Sequence, residues 1–351
     1  MHDRHYISKN SPLIMMNAEK TAVLLVNVGT PDSPSVRDVR SYLFQFLNDR
    51  RVIDLPLIPQ KLLVNGIIVP FRAPKSAKLY SELWTPEGSP LIILSEKLKS
   101  DLQTTLGDEY EVFLAMRYAN PNLKVILNTI EKKGYRKLIV FPLFPHYASS
   151  TTGTVFQRVM EIVKNWYVMP EVRFVGQFYD DPRFIKLFRD RIAQYKPETY
   201  DHIIFSYHGL PNSQVNKTHP GIDAKQCTCA NSLPDHGRFC YKATCYETTR
   251  RLASVLNLEP HRYTTSFQSR LDNNWLEPFS DETIIEKAKQ GARRILVAAP
   301  AFVTDCLETI HEIGVEYQEL FEEHGGEKIQ LVESLNDHPE WIELVASLIR
   351  D

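Results

Sequence analysis

The chain of 351 residues is too long for one small core and long enough for two ordinary domains. Its hydrophobic content of 43% and charged content of 24% exclude a disordered or fibrous protein. The formal net charge of -2, without a basic stripe of interleaved aromatics, gives no reason to expect a nucleic-acid partner.

The first 20 residues are predicted to be an N-terminal tail, and they lack the apolar core and the cleavage site of a secretory signal. The five cysteines of a chain without such a signal favour a reducing, cytoplasmic location, where disulfides are disfavoured.

An apolar segment follows at residues 52–71. It carries Asp54, Lys61 and three prolines, so it is not expected to form an uninterrupted spanning helix. Two interpretations remain for this stretch. It could line an apolar cleft or rest on a bilayer surface, or it could be an ordinary buried core segment.

Short apolar runs alternate with helical patterns along most of the chain, which predicts parallel sheets covered by helices. The predicted strands are 21–29, 110–118, 137–145, 172–179, 202–210, 261–269, 294–302 and 328–335. Four strands followed by four more predict an α/β fold of two similar doubly wound, Rossmann-like domains, each with a four-stranded parallel sheet. We place these domains at 21–200 and 201–337, followed by a closing amphipathic helix at 338–351.

Long insertions follow the first predicted strand of each half, about 80 and about 50 residues in length. Ligand sites of open α/β sheets are built at the carboxyl ends of parallel strands. The insertions therefore predict a ligand site at these ends.

His208 ends a buried apolar strand in the motif FSYHGLP, where the following glycine and proline turn the chain. An imidazole at this position can accept a proton near neutral pH and can bind a transition metal. The alternative is a loop histidine without a function.

Residues 300–326 are predicted to form a strand end and then an α-helix. Its packed face is predicted to consist of Leu307, Ile310, Gly314, Tyr317 and Phe321. Glu308, Glu312 and Glu316 would form one row of like charge, which a divalent metal could compensate. Two alternatives need no metal: Asp305 and Glu308 fit a helix capping box, and the remaining glutamates could be a solvated face.

Four cysteines, Cys227, Cys229, Cys240 and Cys245, lie within 19 residues with the spacing C-x-C-x10-C-x4-C. In a chain of this type, metal ligation is favoured over disulfides or free thiols. The C-x-C pair is awkward for structural zinc, so a [2Fe–2S] cluster held by four thiolates is the better fit. The fifth cysteine, Cys306, is expected to be buried beside the acidic helix.

Together these segments resemble ferrochelatase from about residue 21 to the C-terminus. The motifs that carry the resemblance are LVNVGTPDS, FRAPKSAKLY, EGSPL, MRYANP, FPHYASSTTG, SYHGLP, QSRLDNNWL and FVTDCLETIHE. The resemblance implies a lyase-class enzyme that inserts Fe2+ into a porphyrin to give heme. Protoporphyrin IX is the expected porphyrin, and coproporphyrin is the alternative. It also implies a porphyrin cleft between the two domains.

The resemblance further assigns roles to individual residues. His208 and Glu308 would form the inner site for the substrate Fe2+, and Glu312 would continue an acidic track away from it. The residues expected to face the macrocycle or its propionates are Arg72, Lys75, Arg117, Tyr118, Tyr147, Ser149 and Trp275. Segment 52–71 would be a hydrophobic lip in peripheral contact with the inner membrane, and the protein would be a monomer or a homodimer.

Two departures from the family pattern stand out. Cys306 occupies a position where some relatives have histidine, and the cysteines lie in an insertion at about 220–247 that many relatives lack. Some bacterial members carry a similar internal cysteine set for [2Fe–2S], which supports the iron–sulfur assignment. Two rival functions remain: a cobalt chelatase acting on a more reduced tetrapyrrole, and a non-catalytic heme-binding or iron–sulfur sensing protein.

Overall fold

The computed structural model of the protein describes residues 19–219 and 221–351, so nearly all of the predicted N-terminal tail lies outside the described residues. Eight strands form two four-stranded parallel sheets with the same relative order, β2-β1-β3-β4 and β6-β5-β7-β8. The strands are β1 Thr21–Asn27, β2 Tyr110–Met116, β3 Lys137–Pro142, β4 Glu171–Phe174, β5 His202–His208, β6 Tyr263–Gln268, β7 Arg294–Ala298 and β8 Lys328–Leu331. The predicted fold class is therefore confirmed.

Helices cover both sheets. The α-helices are α1 Val36–Leu47, α2 Leu57–Leu63, α3 Val69–Leu83, α4 Pro90–Leu106, α5 Leu123–Lys133, α6 Thr154–Val163, α7 Pro182–Gln194, α8 Asn212–Asn216, α9 Tyr241–Val255, α10 Ser280–Lys289, α11 Tyr317–Glu323 and α12 Pro339–Arg350. The π-helices are Val64–Ile68, Ser149–Gly153 and Glu308–Glu316, and 3-10 turns lie at Pro197–Thr199, Thr228–Ala230, Asp235–Phe239 and Pro260–Arg262.

The central strands are apolar because helices cover them on both faces. Residues 22–26 of β1 are all 0% exposed, which explains why the sequence there is a continuous apolar run rather than an alternating one. The strand ends at Asn27, two residues before its predicted end. Gly29 has a φ of +109°, and a Cβ there would lie 2.1 Å from the carbonyl oxygen of Tyr118, so only glycine allows the chain to leave the sheet here.

From Leu57 onward the apolar segment 52–71 is helical. It belongs to one continuous helical run formed by α2, the π-helix Val64–Ile68 and α3. Pro70 lacks the N–H that would continue the α-helical ladder, and the wider π turn directly precedes it. The side chains of Ile58, Leu62 and Phe71 are 72%, 70% and 73% exposed, so the buried-core interpretation is wrong. Among the described residues, no helix has the length and apolar character needed to cross a membrane.

The closing helix is present as α12, and it packs against α4 and α7 of the first half. Trp341 of α12 is 0% exposed, and its ring centroid lies 5.7 Å from that of Phe178. The largest hydrophobic core likewise contains strand residues of both halves, such as Leu25 and Phe205. The two sheets are therefore joined by one continuous apolar core.

Candidate active site

A cavity opens where the carboxyl ends of strands from both sheets meet, as expected for open α/β sheets. Each of the four central strands contributes residues to its wall at or just beyond its last residue. These wall residues are Asn27 at the end of β1 and Val28 after it, Leu143 and Phe144 after β3, His208 at the end of β5, and Ala301 and Phe302 after β7. We call this cavity the cleft. The cleft is thus built by both halves of the chain.

His208 is the last residue of β5 and lines the cleft. Its Nδ1 atom is buried and has no hydrogen-bond partner, and its ring meets Phe302 edge-to-face at 6.3 Å. Burial lowers the pKa of His208, the charge of Glu308 opposes this shift, and Arg72 adds to it. The imidazole is therefore neutral near pH 7 and keeps a lone pair for a proton or a metal.

The turn after His208 depends on Gly209. A Cβ at Gly209 would lie 2.8 Å from the carbonyl oxygen of Gln268, and the amide N–H of Gly209 donates to that same carbonyl. The indole of Trp275 would lie 3.2 Å from the same Cβ, so it packs over the glycine. The backbone contact with β6 thereby fixes the position of His208.

Glu308 is the first residue of the π-helix Glu308–Glu316 and also lines the cleft. Cys306, two residues earlier, is buried, and its thiol contacts the Glu308 side chain. Burial first, and then the charge of Glu308, raises the pKa of Cys306. Cys306 thus stays a neutral thiol beside the carboxylate.

The predicted α-helix over this segment is wrong in its first nine residues, which form a π-helix. The wider turn breaks the i, i+4 row. Gly314, predicted on the packed face, is exposed, and Glu316 lies 3.4 Å from Nδ1 of His311. The row of three glutamates is therefore reduced to Glu308 and Glu312.

The capping-box alternative is also wrong. The Asp305 carboxylate accepts hydrogen bonds from the Thr309 hydroxyl at 3.0 Å and the Asn336 amide at 2.7 Å, so it fastens the helix start to the loop after β8. The solvated-face alternative describes Glu316 alone of the three glutamates, because its side chain is 47% exposed.

Glu312 is held by donors on both carboxylate oxygens. Ser269 donates from its amide at 2.8 Å and from its hydroxyl at 2.5 Å, Gln268 donates at 3.1 Å, and the Tyr317 hydroxyl donates at 3.1 Å. Burial raises the pKa of Glu312, hydrogen bonds from Ser269 and Gln268 oppose this, and the charge of Glu308 adds to it. The net direction is upward, so Glu312 accepts a proton more readily than an exposed glutamate.

The residues expected to face a macrocycle occupy different environments. Arg72 and Lys75 are exposed on α3, and the charge of Arg72 reaches His208. Arg117 donates to Asp49 at 2.6 Å, and the hydroxyl of Tyr118 donates to the same carboxylate at 2.8 Å. Arg117 and Tyr118 are therefore engaged by Asp49 and do not line the cleft.

Tyr147 and Ser149 line a neighbouring polar pocket together with Arg50, Arg51 and Lys217. The Arg51 guanidinium donates to the Ser149 hydroxyl at 2.9 Å. This pocket gathers three cations, of which the sequence analysis singled out none.

Sequence reasoning also missed several groups around the cleft. His146 lines it, with Nε2 2.9 Å from the Thr248 hydroxyl, and burial lowers the pKa of His146 to about 3. Tyr80 packs beside Cys306 and Glu308, and burial raises its pKa. His146 and Tyr80 stand inside quoted motifs, FPHYASSTTG and FRAPKSAKLY, so the motifs gave the only available signal.

Three of the four clustered cysteines lie together. The Sγ atoms of Cys229 and Cys240 and a ring nitrogen of His219 lie within 4.8 Å of one another, and the Cys227 thiol contacts Cys229. Cys245 is buried and outside this group. The coarser prediction, that this insertion contains groups able to hold a metal, is confirmed.

Solved structures with the same architecture identify the class of the fold. The chain is similar to SirB from Bacillus subtilis solved with Fe3+, at a TM-score of 0.52 and 12% identity over 94% of each chain. It is also similar to the sirohydrochlorin chelatase SirB from Bacillus subtilis subspecies spizizenii in complex with cobalt, at a TM-score of 0.53 and 11% identity, again over 94% of each chain. The protein therefore has the chelatase fold.

The family follows from sequence comparison. The family model described as Ferrochelatase matches residues 20–351. The ferrochelatase of Legionella pneumophila strain Lens is 40% identical over 95% of this chain and 99% of its own length. That of Coxiella burnetii strain Dugway 5J108-111 is 40% identical over 98% and 97%. The chain belongs to the ferrochelatase family, as its motifs predicted, and the reaction of that family is the insertion of Fe2+ into a porphyrin to give heme.

Proposed function

We propose that the chain inserts Fe2+ into protoporphyrin IX in the cleft, as a lyase-class enzyme that releases two pyrrole protons for each metal ion bound. The observation that supports this most is the pairing of His208 and Glu308 in one cavity, with Nδ1 of His208 buried and without a partner. An unsatisfied buried imidazole nitrogen is costly unless a ligand or substrate uses it.

His208 is the proposed proton acceptor. Its lowered pKa keeps it neutral at working pH, and the charge of Glu308 stabilises the imidazolium that forms when a pyrrole proton is taken up. The ring nitrogens that lose protons then bind the metal, so the substrate is converted without a change in oxidation state. Apolar walls such as Val28 and Phe302 hold the macrocycle and exclude water.

Glu312 is proposed to carry protons rather than metal. Four donors occupy the lone pairs of its two oxygens, and a carboxylate offers about four such positions, so a metal would have to displace existing hydrogen bonds. Its raised pKa favours temporary protonation. Glu308, which lines the cleft together with His208, is left to hold the incoming Fe2+ with that histidine.

Two exposed cations on α3, Arg72 and Lys75, are the proposed partners of the propionates through charge-assisted hydrogen bonds. The roles predicted for Arg117, Tyr118, Tyr147, Ser149 and Trp275 stay predictions. Arg117 and Tyr118 both donate hydrogen bonds to Asp49. Burial opposes ionisation of Asp49, but hydrogen bonds from Thr154 and Arg51 and the charge of Arg117 outweigh it and lower the pKa.

The segment 52–71 is proposed to rest on the surface of the inner membrane from the cytoplasmic side. Its exposed apolar residues lie on one stretch of helix, next to the cations of α3 that anionic lipid would attract. The oligomeric state and the four-cysteine [2Fe–2S] cluster stay predictions.

The test is anaerobic metalation of protoporphyrin by ferrous iron, followed as the loss of free-base porphyrin fluorescence. We expect turnover by the wild type, and a fall of roughly 10²–10⁴-fold for His208→Ala with porphyrin binding retained, because a positioned base contributes about that much. Near-normal turnover by His208→Ala would refute the assignment of the base. Turnover with cobalt and a more reduced tetrapyrrole, but not with Fe2+ and protoporphyrin, would favour the rival chelatase.

A further inference from the structure

The insertion between β5 and α9 folds around a buried group of sulfur and nitrogen atoms. His219, Cys229 and Cys240 are 1%, 0% and 0% exposed, and one ligand atom from each lies within 4.8 Å of the other two. Ligand atoms of a tetrahedral zinc ion, at bond lengths of about 2.3 Å to sulfur and about 2.0–2.1 Å to nitrogen, have a similar separation.

His219 is already oriented as a ligand. Its Nδ1 lies 3.2 Å from the carbonyl oxygen of Ile222, which can only accept, so Nδ1 carries the proton. Nε2 therefore keeps its lone pair, and it points at Cys240 Sγ from 3.2 Å. A backbone carbonyl that fixes the tautomer and ring orientation is the usual support of a metal-binding histidine.

Cys227 supplies a fourth donor. Its thiol contacts that of Cys229, which belongs to the converging group. It is half-buried at the rim of the group, and its Sγ donates to the Ala224 carbonyl at 3.3 Å. With its thiol deprotonated and its side chain rotated, Cys227 would exchange that weak hydrogen bond for a bond to the metal ion.

Cys245 does not complete a four-cysteine set. It lies one turn into α9, fully buried, with its thiol hydrogen-bonded to Tyr241. In a [2Fe–2S] cluster each iron takes two protein ligands, so a third ligand belongs to the other iron and lies farther away. Three ligand atoms converging on one point suit a single metal ion better than a two-iron cluster.

We propose that His219, Cys227, Cys229 and Cys240 form a mononuclear tetrahedral zinc site, with Cys245 outside the ligand set. A Cys3His set is a common structural zinc site, and it leaves no open position for substrate. The set keeps the C-x-C spacing of Cys227 and Cys229, and His219 takes the place that Cys245 has in a four-cysteine set. The proposal is independent of the chelatase reaction.

The site would stabilise one wall of the cleft. Cys240 directly precedes Tyr241, which lines the cleft. Before the group, Gln214 donates to the Val52 carbonyl at 3.0 Å and Lys217 pairs with Asp54 at the start of the apolar segment. A metal ion here would hold both ends of an insertion that contacts the lip and the cleft.

The test measures metal, not turnover. Full-length wild type, His219→Ala, Cys240→Ser and Cys245→Ser are dialysed against a mild chelator, and zinc, iron and acid-labile sulfide are counted per chain. We expect one zinc and no sulfide in the wild type and in Cys245→Ser, and at least a tenfold loss of zinc affinity in the other two variants. Circular dichroism shows whether each variant is folded.

Cobalt substitution keeps the proposal testable if a variant folds poorly. Co2+ added to the metal-stripped wild type should give the thiolate charge-transfer and intense d–d absorption of a tetrahedral site. His219→Cys should retain that absorption with a shifted charge-transfer band, while Cys245→Ser should match the wild type. Two irons with labile sulfide that disappear in Cys245→Ser, or a wild type that binds neither Zn2+ nor Co2+ tightly, would overturn the proposal.

Discussion

At the scale of single residues, His208 and Glu308 set the charge state of the cleft. Burial lowers the pKa of His208 and the negative charge of Glu308 partly reverses that shift. Replacing Glu308 with glutamine removes the charge that stabilises the imidazolium, so the pKa of His208 should fall further. We predict that the acidic limb of kcat/KM for metalation moves to lower pH in Glu308→Gln, while the rate itself decreases because Fe2+ loses a ligand.

The measurement is a pH profile of anaerobic metalation for wild type and variant under identical iron and porphyrin concentrations. Glu316→Gln is the matched control, because Glu316 lies on the same π-helix but pairs with His311. A limb that shifts equally in both variants would mean that general helix charge, and not Glu308, acts on His208.

Glu312 allows a separate prediction. If it carries protons, Glu312→Gln should lower kcat, on the order of tenfold or more, while leaving the KM for Fe2+ nearly unchanged. Steady-state kinetics with varied Fe2+ distinguishes the two roles. A large rise in the KM for iron at constant kcat would instead assign Glu312 to metal delivery.

The tight turn after His208 leads us to predict that adding one methyl group, in Gly209→Ala, destabilises the protein. Gly209→Ala would place a Cβ 2.8 Å from a backbone oxygen of β6, which cannot move aside easily. We expect a loss of about 1–3 kcal/mol in the free energy of unfolding and a fall in turnover, because His208 shifts. Gly176→Ala is the control, since nothing lies within 4 Å of its added Cβ; chemical denaturation and kinetics measure both variants.

A residue of the site can be predicted from the sequence when the residues that indicate its role are its neighbours in the chain. His208 could be predicted because a strand, a histidine and a turn are adjacent in the chain. Asp49 could not, because its partners Arg117 and Thr154 are separated from it by 68 and 105 positions. His219 was missed for the same reason, since a single histidine in a loop has no pattern of its own.

At the scale of elements, the helical run over segment 52–71 shows that sequence patterns do not predict π-helices. Its prolines predict an interrupted helix. The chain nevertheless stays helical across Pro70, which lacks a backbone N–H, because a π turn directly precedes it. The segment with Glu308 and Glu312 is a second example. The i, i+4 spacing of these glutamates predicted an α-helix, but the segment forms a π-helix. Tertiary contacts, such as the Gln268 amide on the Glu308 carbonyl at 2.8 Å, are present in the folded chain and absent from the pattern.

The exposed residues of α2 make a testable membrane surface. Ile58 and Leu62 are 72% and 70% exposed, so burying both in a bilayer interface would contribute up to about 1.5–3 kcal/mol each. We predict that Ile58→Asp with Leu62→Asp lowers binding to anionic vesicles at least tenfold in cosedimentation, without changing the thermal unfolding temperature.

The control replaces two other exposed apolar residues, Val125 and Val168, which are 60% and 75% exposed. If Val125→Asp with Val168→Asp weakens vesicle binding to the same degree, the effect comes from net charge and the membrane role of α2 is wrong.

At the scale of the whole molecule, the repetition of one sheet topology was readable from the sequence. The eight strands begin within two residues of their predicted starts, because buried parallel strands are continuous apolar runs bounded by turns. The way in which the two halves pack against each other could not be predicted from the sequence. Helix α12 follows the second sheet but packs on α4 and α7, and an amphipathic pattern reveals only that a face is buried, not which helices cover it.

This crossing of α12 predicts that the two halves unfold together. Trp341 is 0% exposed and contacts Phe178 of the first half, so Trp341→Ala should cost about 3–5 kcal/mol and loosen the joint between the sheets. Calorimetry should show one transition for the wild type and, for the variant, a lower unfolding temperature with a broadened or split transition.

The neighbouring Glu340→Ala is the control, because Glu340 makes only an exposed ion pair with Lys186 and such pairs contribute little. A variant that keeps a single sharp transition at a reduced temperature would show that the continuous core, and not α12, couples the halves.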